Sequence, residues 1–122
     1  MKPKRAASTG LRNDRLNAYR IMWLFVFFDL PTHTKKDRRV ASKFRKNLLV
    51  DGFSMMQYSV YARHCASSES ADAHTRRIKS RLPLYGHINL LRITDKQYGN
   101  MDNYLGCRRV KLPGSPSQLE LF

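Results

Sequence analysis

Acidic side chains are scarce in this sequence: 9 Asp and Glu stand against 23 Lys and Arg in 122 residues, a formal net charge of +14. Long apolar runs are missing as well. The stretch Met22 to Phe28 is only seven residues, against the roughly 20 needed to span a bilayer. Its Arg20 side also lacks the cleavage pattern of a secretory signal, so no membrane partner is expected. Cysteine is limited to Cys65 and Cys107, far apart and without metal-ligand spacing. Structural zinc is therefore not expected, and a reducing, cytoplasmic setting is. There is no Gly-rich phosphate loop and no dinucleotide-binding fingerprint. His33, His64, His74 and His87 are scattered without ligand spacing.

What is present is positive charge on a small body. A chain of 122 residues is the size of one domain with one modest core, which leaves little room for an enclosed substrate cavity. So large a charge repels itself unless an anionic partner neutralises it, and backbone phosphates are the commonest such partner. A solvated basic surface with no specific partner is the plainer alternative.

Residues 1–19 carry Lys2, Lys4, Arg5, Arg12 and Arg15 with almost nothing to bury. They read as a flexible basic arm that could lie on phosphates, as an expression remnant, or as plain disorder. Ile21 to Phe28 is apolar on both faces, aromatic and β-branched, the pattern of a central strand covered on both sides. Asp29-Leu30-Pro31 stops it. Thr34 and Asp37 then form a capping-box pattern, and Val40, Ala41, Phe44 and Leu48 trace an apolar helical stripe. On the other side Lys35, Arg39, Lys43 and Lys46 recur at four, four and three, which stacks four cations on one helical face.

Asp51-Gly52 ends that helix. Phe53 to Arg63 reads as extended, long enough to need a bulge or a tight turn near Gln57 to Ser59. Glu69 and Asp72 suit the first turn of a second helix, with Ala71, Thr75, Ile78 and Leu82 as its buried stripe. Arg76, Arg77, Lys79 and Arg81 lie outside that stripe or near the helix end. They serve the helix dipole as well as any ligand, and Arg76 and Arg77 join the candidate nucleic-acid contacts. His87 to Ile93 supplies another strand, bounded by Thr94-Asp95-Lys96-Gln97.

The order strand, helix, hairpin, helix, strand predicts an α+β fold, the ferredoxin-like βαββαβ sandwich, over residues 20–98. With both helices on one face, the opposite sheet face is expected to be uncovered, and a homodimer is the simplest cover. Residues 99–122 read as a tail without pattern until Gln118-Leu-Glu-Leu-Phe122, a short alternating segment able to add a strand to a sheet edge.

One carboxylate stands out as a site. Asp29 follows the apolar strand directly and precedes a Pro-containing loop, where it could bind a hard cation such as magnesium or merely accept hydrogen bonds from loop amides. One carboxylate per chain is poor support for a metal, so a catalytic site would pair two Asp29 residues across a dimer axis. His33 is near it in sequence but reads as a solvated loop residue.

The run Phe25-Val-Phe-Phe-Asp29-Leu-Pro31 is followed by Lys36-Asp-Arg-Arg39 with Phe44 and Leu48, and by Gly52-Phe-Ser-Met-Met-Gln57-Tyr-Ser59-Val-Tyr61. Gly86, the Ile88 to Ile93 strand and Thr94-Asp95-Lys-Gln97 complete the order. Over residues 20 to 98 this resembles the small CRISPR-associated endonuclease family that partners the spacer integrase. The resemblance implies a ferredoxin-like homodimer that bridges integrase dimers and holds double-stranded DNA on its basic surface during spacer acquisition. It also implies a magnesium-dependent endonuclease of RNA or DNA with Asp29 as catalytic residue and metal ligand, and it carries Arg39, Gln57, Ser59 and Tyr61 as pattern positions. The basic arm departs from the compact family form. A metal-dependent endoribonuclease acting on single-stranded RNA without the integrase, or a plain RNA-binding domain, are the alternative functions. Residues 118–122 are also similar to the short peptide that docks bacterial proteins on the polymerase sliding clamp, although a pairing strand explains the alternation more simply.

Overall fold

The computed structural model describes residues 20–114. The basic arm and residues 118–122 lie outside that range. Strand β1 (Met22–Asp29) leads through a loop to helix α1 (Lys35–Val50). The hairpin of β2 (Ser54–Gln57) and β3 (Val60–Cys65) follows, then helix α2 (Ser68–Lys79) and strand β4 (His87–Thr94). The four strands form one sheet in the order β2-β3-β1-β4 with every neighbouring pair antiparallel. This is the ferredoxin-like arrangement: two split βαβ units place β1 and β3 at the centre.

The central position of β1 explains its composition. Its even-numbered residues Leu24, Val26 and Phe28 pack with Phe44 and Leu48 of α1 and with Ala71 and Ile78 of α2. Each large apolar side chain so buried contributes about 1.5–3 kcal/mol by leaving water. Helix α1 begins at the capping box: the Asp37 amide donates to Thr34 Oγ1 at 3.0 Å, and the Thr34 amide donates back to the Asp37 carboxylate at 3.3 Å. It ends at Asp51, followed by Gly52 at φ +89°. Both devices expected between β2 and β3 occur, a register shift between Met55 and Gln57 and a tight turn with Ser59 at φ +71°.

Two stripe residues are corrected. Val40 and Leu82 are exposed, at 41% and 46%. At about 100° per residue, Val40 lies some 75° from the centre of the stripe formed by Ala41, Phe44 and Leu48, and Leu82 follows the end of α2. The buried residues of α2 are Ala71, His74 and Ile78, so a histidine replaces the expected Thr75 in the inward row. Asp72 also lies beyond the first turn, and its carboxylate pairs with Arg92 of β4 at 2.8 Å.

The opposite sheet face is not bare. After β4, a second capping box, Thr94 with Gln97, starts the short helix α3 (Asp95–Gly99). A hairpin of β5 (Asn103–Leu105) and β6 (Arg108–Val110) follows, where the sequence shows no pattern. Tyr98 and Leu112 from this stretch bury Trp23, Phe25 and Ala62. Cover therefore comes from the chain itself over the Trp23 end of the face. Phe27 and Leu91, further along the same face, stay 36% and 47% exposed.

Candidate nucleic-acid interface and carboxylate site

Lys35, Arg39, Lys43 and Lys46 are all exposed on α1. Helical geometry places them within an arc of about 80°, diametrically opposite the buried stripe. None of the four has a carboxylate partner among the described residues. Four cations without carboxylate partners among the described residues thus stand in one row on a helical face that the core does not use.

The other cations differ. Arg76 is exposed and without an ion pair among the described residues, whereas Arg77 donates to Asp51 at 2.6 Å and has its charge compensated. Arg38 lies beside the cationic row but turns back to the loop, donating to the carbonyls of Thr32 and His33. Arg45 donates to the Tyr58 hydroxyl at 2.9 Å and lies over the Tyr58 ring. Sequence pattern separates none of these: Arg45 and Arg77 find partners 13 and 26 positions away, and Arg38 follows the path of the loop before α1.

Asp51 carries more than a helix stop. Its carboxylate accepts from His74 Nδ1 at 2.9 Å and from Arg77, while Arg63 Nε donates to His74 Nε2 at 2.8 Å. With Nε2 accepting from Arg63, Nδ1 is the ring nitrogen left to donate to Asp51. They tie the end of α1, strand β3 and helix α2 together inside the core. Cys65, next to His64 in sequence, points into that core. Burial pushes its thiol up despite the nearby Arg63 and Arg92, so it is an inert packing residue rather than a nucleophile.

Asp29 is exposed at the end of β1. Of the described aspartates it alone has no hydrogen-bond or ion-pair partner. Asp37 caps α1, Asp51 and Asp72 hold arginines, Asp95 accepts the Trp23 indole N–H, and Asp102 pairs with Arg109. A carboxylate left unpaired in so cationic a chain is available to a ligand. Among the described residues no group of three or more His, Cys, Asp or Glu could hold a metal ion. The donors of one chain therefore do not amount to a complete magnesium site. A groove of about 1020 Å³, lined by Trp23, His64, Tyr98 and Arg109 among others, lies at the other end of β1. Six residues of strand, about 20 Å, separate it from Asp29.

A four-stranded antiparallel sheet, two helices on one face and, among the described residues, an unpaired cationic row and an unpartnered carboxylate at a strand end define a small basic protein of ferredoxin-like fold. Residues 22–101 match the family described as CRISPR associated protein Cas2, and the chain belongs to that family. It is 55% identical over 108 residues to a CRISPR-associated endoribonuclease Cas2 of Flavobacterium psychrophilum, covering 88% of this chain and 94% of that protein. A protein of the same name from Parvibaculum lavamentivorans is 52% identical over 101 residues, covering 83% of this chain and all of the relative. Another from Paracidovorax avenae is 41% identical over 107 residues, 88% of this chain and 99% of the relative. No helix among the described residues is long and apolar enough to cross a membrane.

Proposed function

We propose that this chain is a homodimeric, double-stranded DNA-binding adaptor of CRISPR spacer acquisition, working in the cytoplasm and bridging integrase dimers. The observation that carries the reading is the row Lys35, Arg39, Lys43 and Lys46, exposed, unpaired among the described residues and opposite the core. A second copy covers the exposed Phe27 and Leu91 end of the open face. That seam lies on the side of the sheet away from α1, so both cationic rows remain outside it. Binding of a labelled duplex, titrated against salt, tests this. Each neutralised phosphate contributes about −0.9 to the slope of log affinity against log salt, so four contacts give a slope of roughly −3.6 per chain. A flat salt response overturns it.

A second reading is favoured by the Asp29 carboxylate, unpaired among the described residues, and by the endoribonuclease names of the relatives. In it, Asp29 residues from two chains hold Mg2+ at a phosphodiester, water and phosphate completing the coordination. The ion supplies charge stabilisation and an activated water, and Arg or Lys side chains nearby hold the backbone of single-stranded RNA or duplex DNA. Asp29→Ala then abolishes cleavage while leaving the dimer folded. Cleavage equal to that of the unaltered protein counts against it.

A further inference from the structure

Neither reading of function uses the groove at the Trp23 end of β1. Its volume of about 1020 Å³ stands at the upper limit of the roughly 300–1,000 Å³ of small-molecule pockets, so a short peptide fits it better than a metabolite. The floor is apolar, with Trp23, Tyr98 and Leu112 buried and Met101 packed against them. The rim is cationic: Arg109 and Lys111 line it and are exposed. Asp102 holds Arg109 at 2.7 Å, whereas Lys111 has no carboxylate partner among the described residues.

The chain leaves the described fold inside this groove. The Tyr98 hydroxyl donates to the Pro113 carbonyl at 2.6 Å. Gly114 follows at φ +77° and lines the groove, and a Cβ there would stand 3.2 Å from Trp23 Cη2, so the backbone lies against the indole. Eight residues come next, Ser115 to Phe122, outside the described range. Extended, they reach at most roughly 26–29 Å. The opposite end of the described chain also meets the groove, at Ile21. Charge separates the two candidates: residues 1–19 carry Lys2, Lys4, Arg5, Arg12 and Arg15 against Asp14, whereas the one charged side chain of residues 115–122 is Glu120. A cationic rim repels the first segment and attracts the second.

We propose that residues 118–122 of the same chain seat in this groove and complete the cover of the Trp23 end of the sheet. In an extended segment Leu119 and Leu121 fall on one side and Glu120 on the other. The two leucines then meet the apolar floor, and Glu120 turns to Lys111 at the rim. The occupant is the chain's own tail, so a protein that takes residues 118–122 must first displace it. The assignment depends neither on the cationic row of α1 nor on Asp29.

Nuclear Overhauser effects in the full-length protein test it. Leu119 and Leu121 methyls are expected to give cross-peaks to the ring of Trp23, the single tryptophan of the sequence, and to the Met101 methyl. Mixing with a large excess of perdeuterated protein leaves these cross-peaks in place, because both groups belong to one chain. Lys111→Glu, a change at an exposed position, weakens them at least twofold, and adding Glu120→Lys restores them. Absence of the cross-peaks in the unaltered protein overturns the proposal. Cross-peaks lost on mixing with perdeuterated protein place the tail on a second copy and overturn it too, as do cross-peaks indifferent to Lys111→Glu. Circular dichroism of each variant separates release of the tail from unfolding.

Discussion

The rings of Trp23 and Tyr98 stack with centroids 3.7 Å apart and planes within 7°. Tyr98 reaches across the sheet face from α3, and its hydroxyl donates to the Pro113 carbonyl at 2.6 Å. The Trp23 indole N–H donates in turn to Asp95 at 2.7 Å. This clasp closes one end of the face opposite α1 and α2. At the far end Phe27, Leu91, Asp29 and His87 are left exposed by the described residues.

The clasp makes stability sensitive to alkaline pH. Burial, and secondly the Asp95 charge, push the Tyr98 phenol up from 10 to about 12. Below pH 10 both folded and unfolded chains hold the proton, and the contribution is intact. Between pH 10 and about 12 the unfolded chain releases it first, so the folded state binds more protons and stability falls. Tyr98→Phe loses about 1 kcal/mol with its hydrogen bond at neutral pH. Urea unfolding from pH 8 upward will show the gap between the unaltered protein and this variant narrowing above pH 10. A constant gap contradicts the shift.

Asp51 is the acceptor on which His74 and Arg77 converge, with its side chain 9% exposed. Asp51→Ala leaves a buried imidazole N–H and a guanidinium without their acceptor. The expected cost is about 3 kcal/mol, the lower end for breaking a buried pair, since Arg77 remains partly solvated. Chemical denaturation measures it. Arg77→Ala, which spares the Asp51–His74 contact, costs less.

Much of this architecture is legible from local pattern. The apolar run of β1, the Thr34–Asp37 capping box and the Asp51-Gly52 stop are written in adjacent residues, so strand, helix and helix end follow from spacing alone. The cationic row on α1 is equally local, because helical period fixes its face. The Asp51–His74–Arg77 cluster is not: His74 and Arg77 stand 23 and 26 positions from Asp51, and hydrophobic periodicity carries no sign of a buried histidine. Nor is Asp29 beside His87, which depends on sheet register. His33 is the histidine near Asp29 in sequence; His87 is the one the register sets opposite it. Strands β5 and β6 are three residues each, too short for a period to register.

Gly86 links the fold to the carboxylate. Alanine there combines a left-handed backbone with overlap against Asp29 and Leu30, so Gly86→Ala is expected to cost about 1–3 kcal/mol. Relief of that overlap displaces the β1 end, so the melting temperature falls and, if Asp29 holds a divalent cation as proposed, its affinity falls with it. Gly99→Ala is the control. It sits in α3, where an added Cβ would meet no atom within 4 Å, and it is neutral or stabilising by up to about 1 kcal/mol. Calorimetric melting of the two variants distinguishes a local steric requirement from general intolerance of alanine.

The cationic row predicts opposite effects on binding and stability. Arg39 and Lys43 are successive members on one face, four residues apart, and each adjacent like-charge pair costs a few tenths of a kcal/mol in a free helix. Replacing both by alanine removes that repulsion and adds helix propensity, so the melting temperature holds or rises slightly. If each side chain neutralises one phosphate, the salt slope for duplex binding becomes shallower by about 1.8 per chain, with weaker affinity across all sequences tested. Arg77→Ala serves as the counterpart: it removes a charge that Asp51 already compensates, so it lowers stability and changes the slope little. A double variant that binds with an unaltered slope would place the phosphate track elsewhere on the protein.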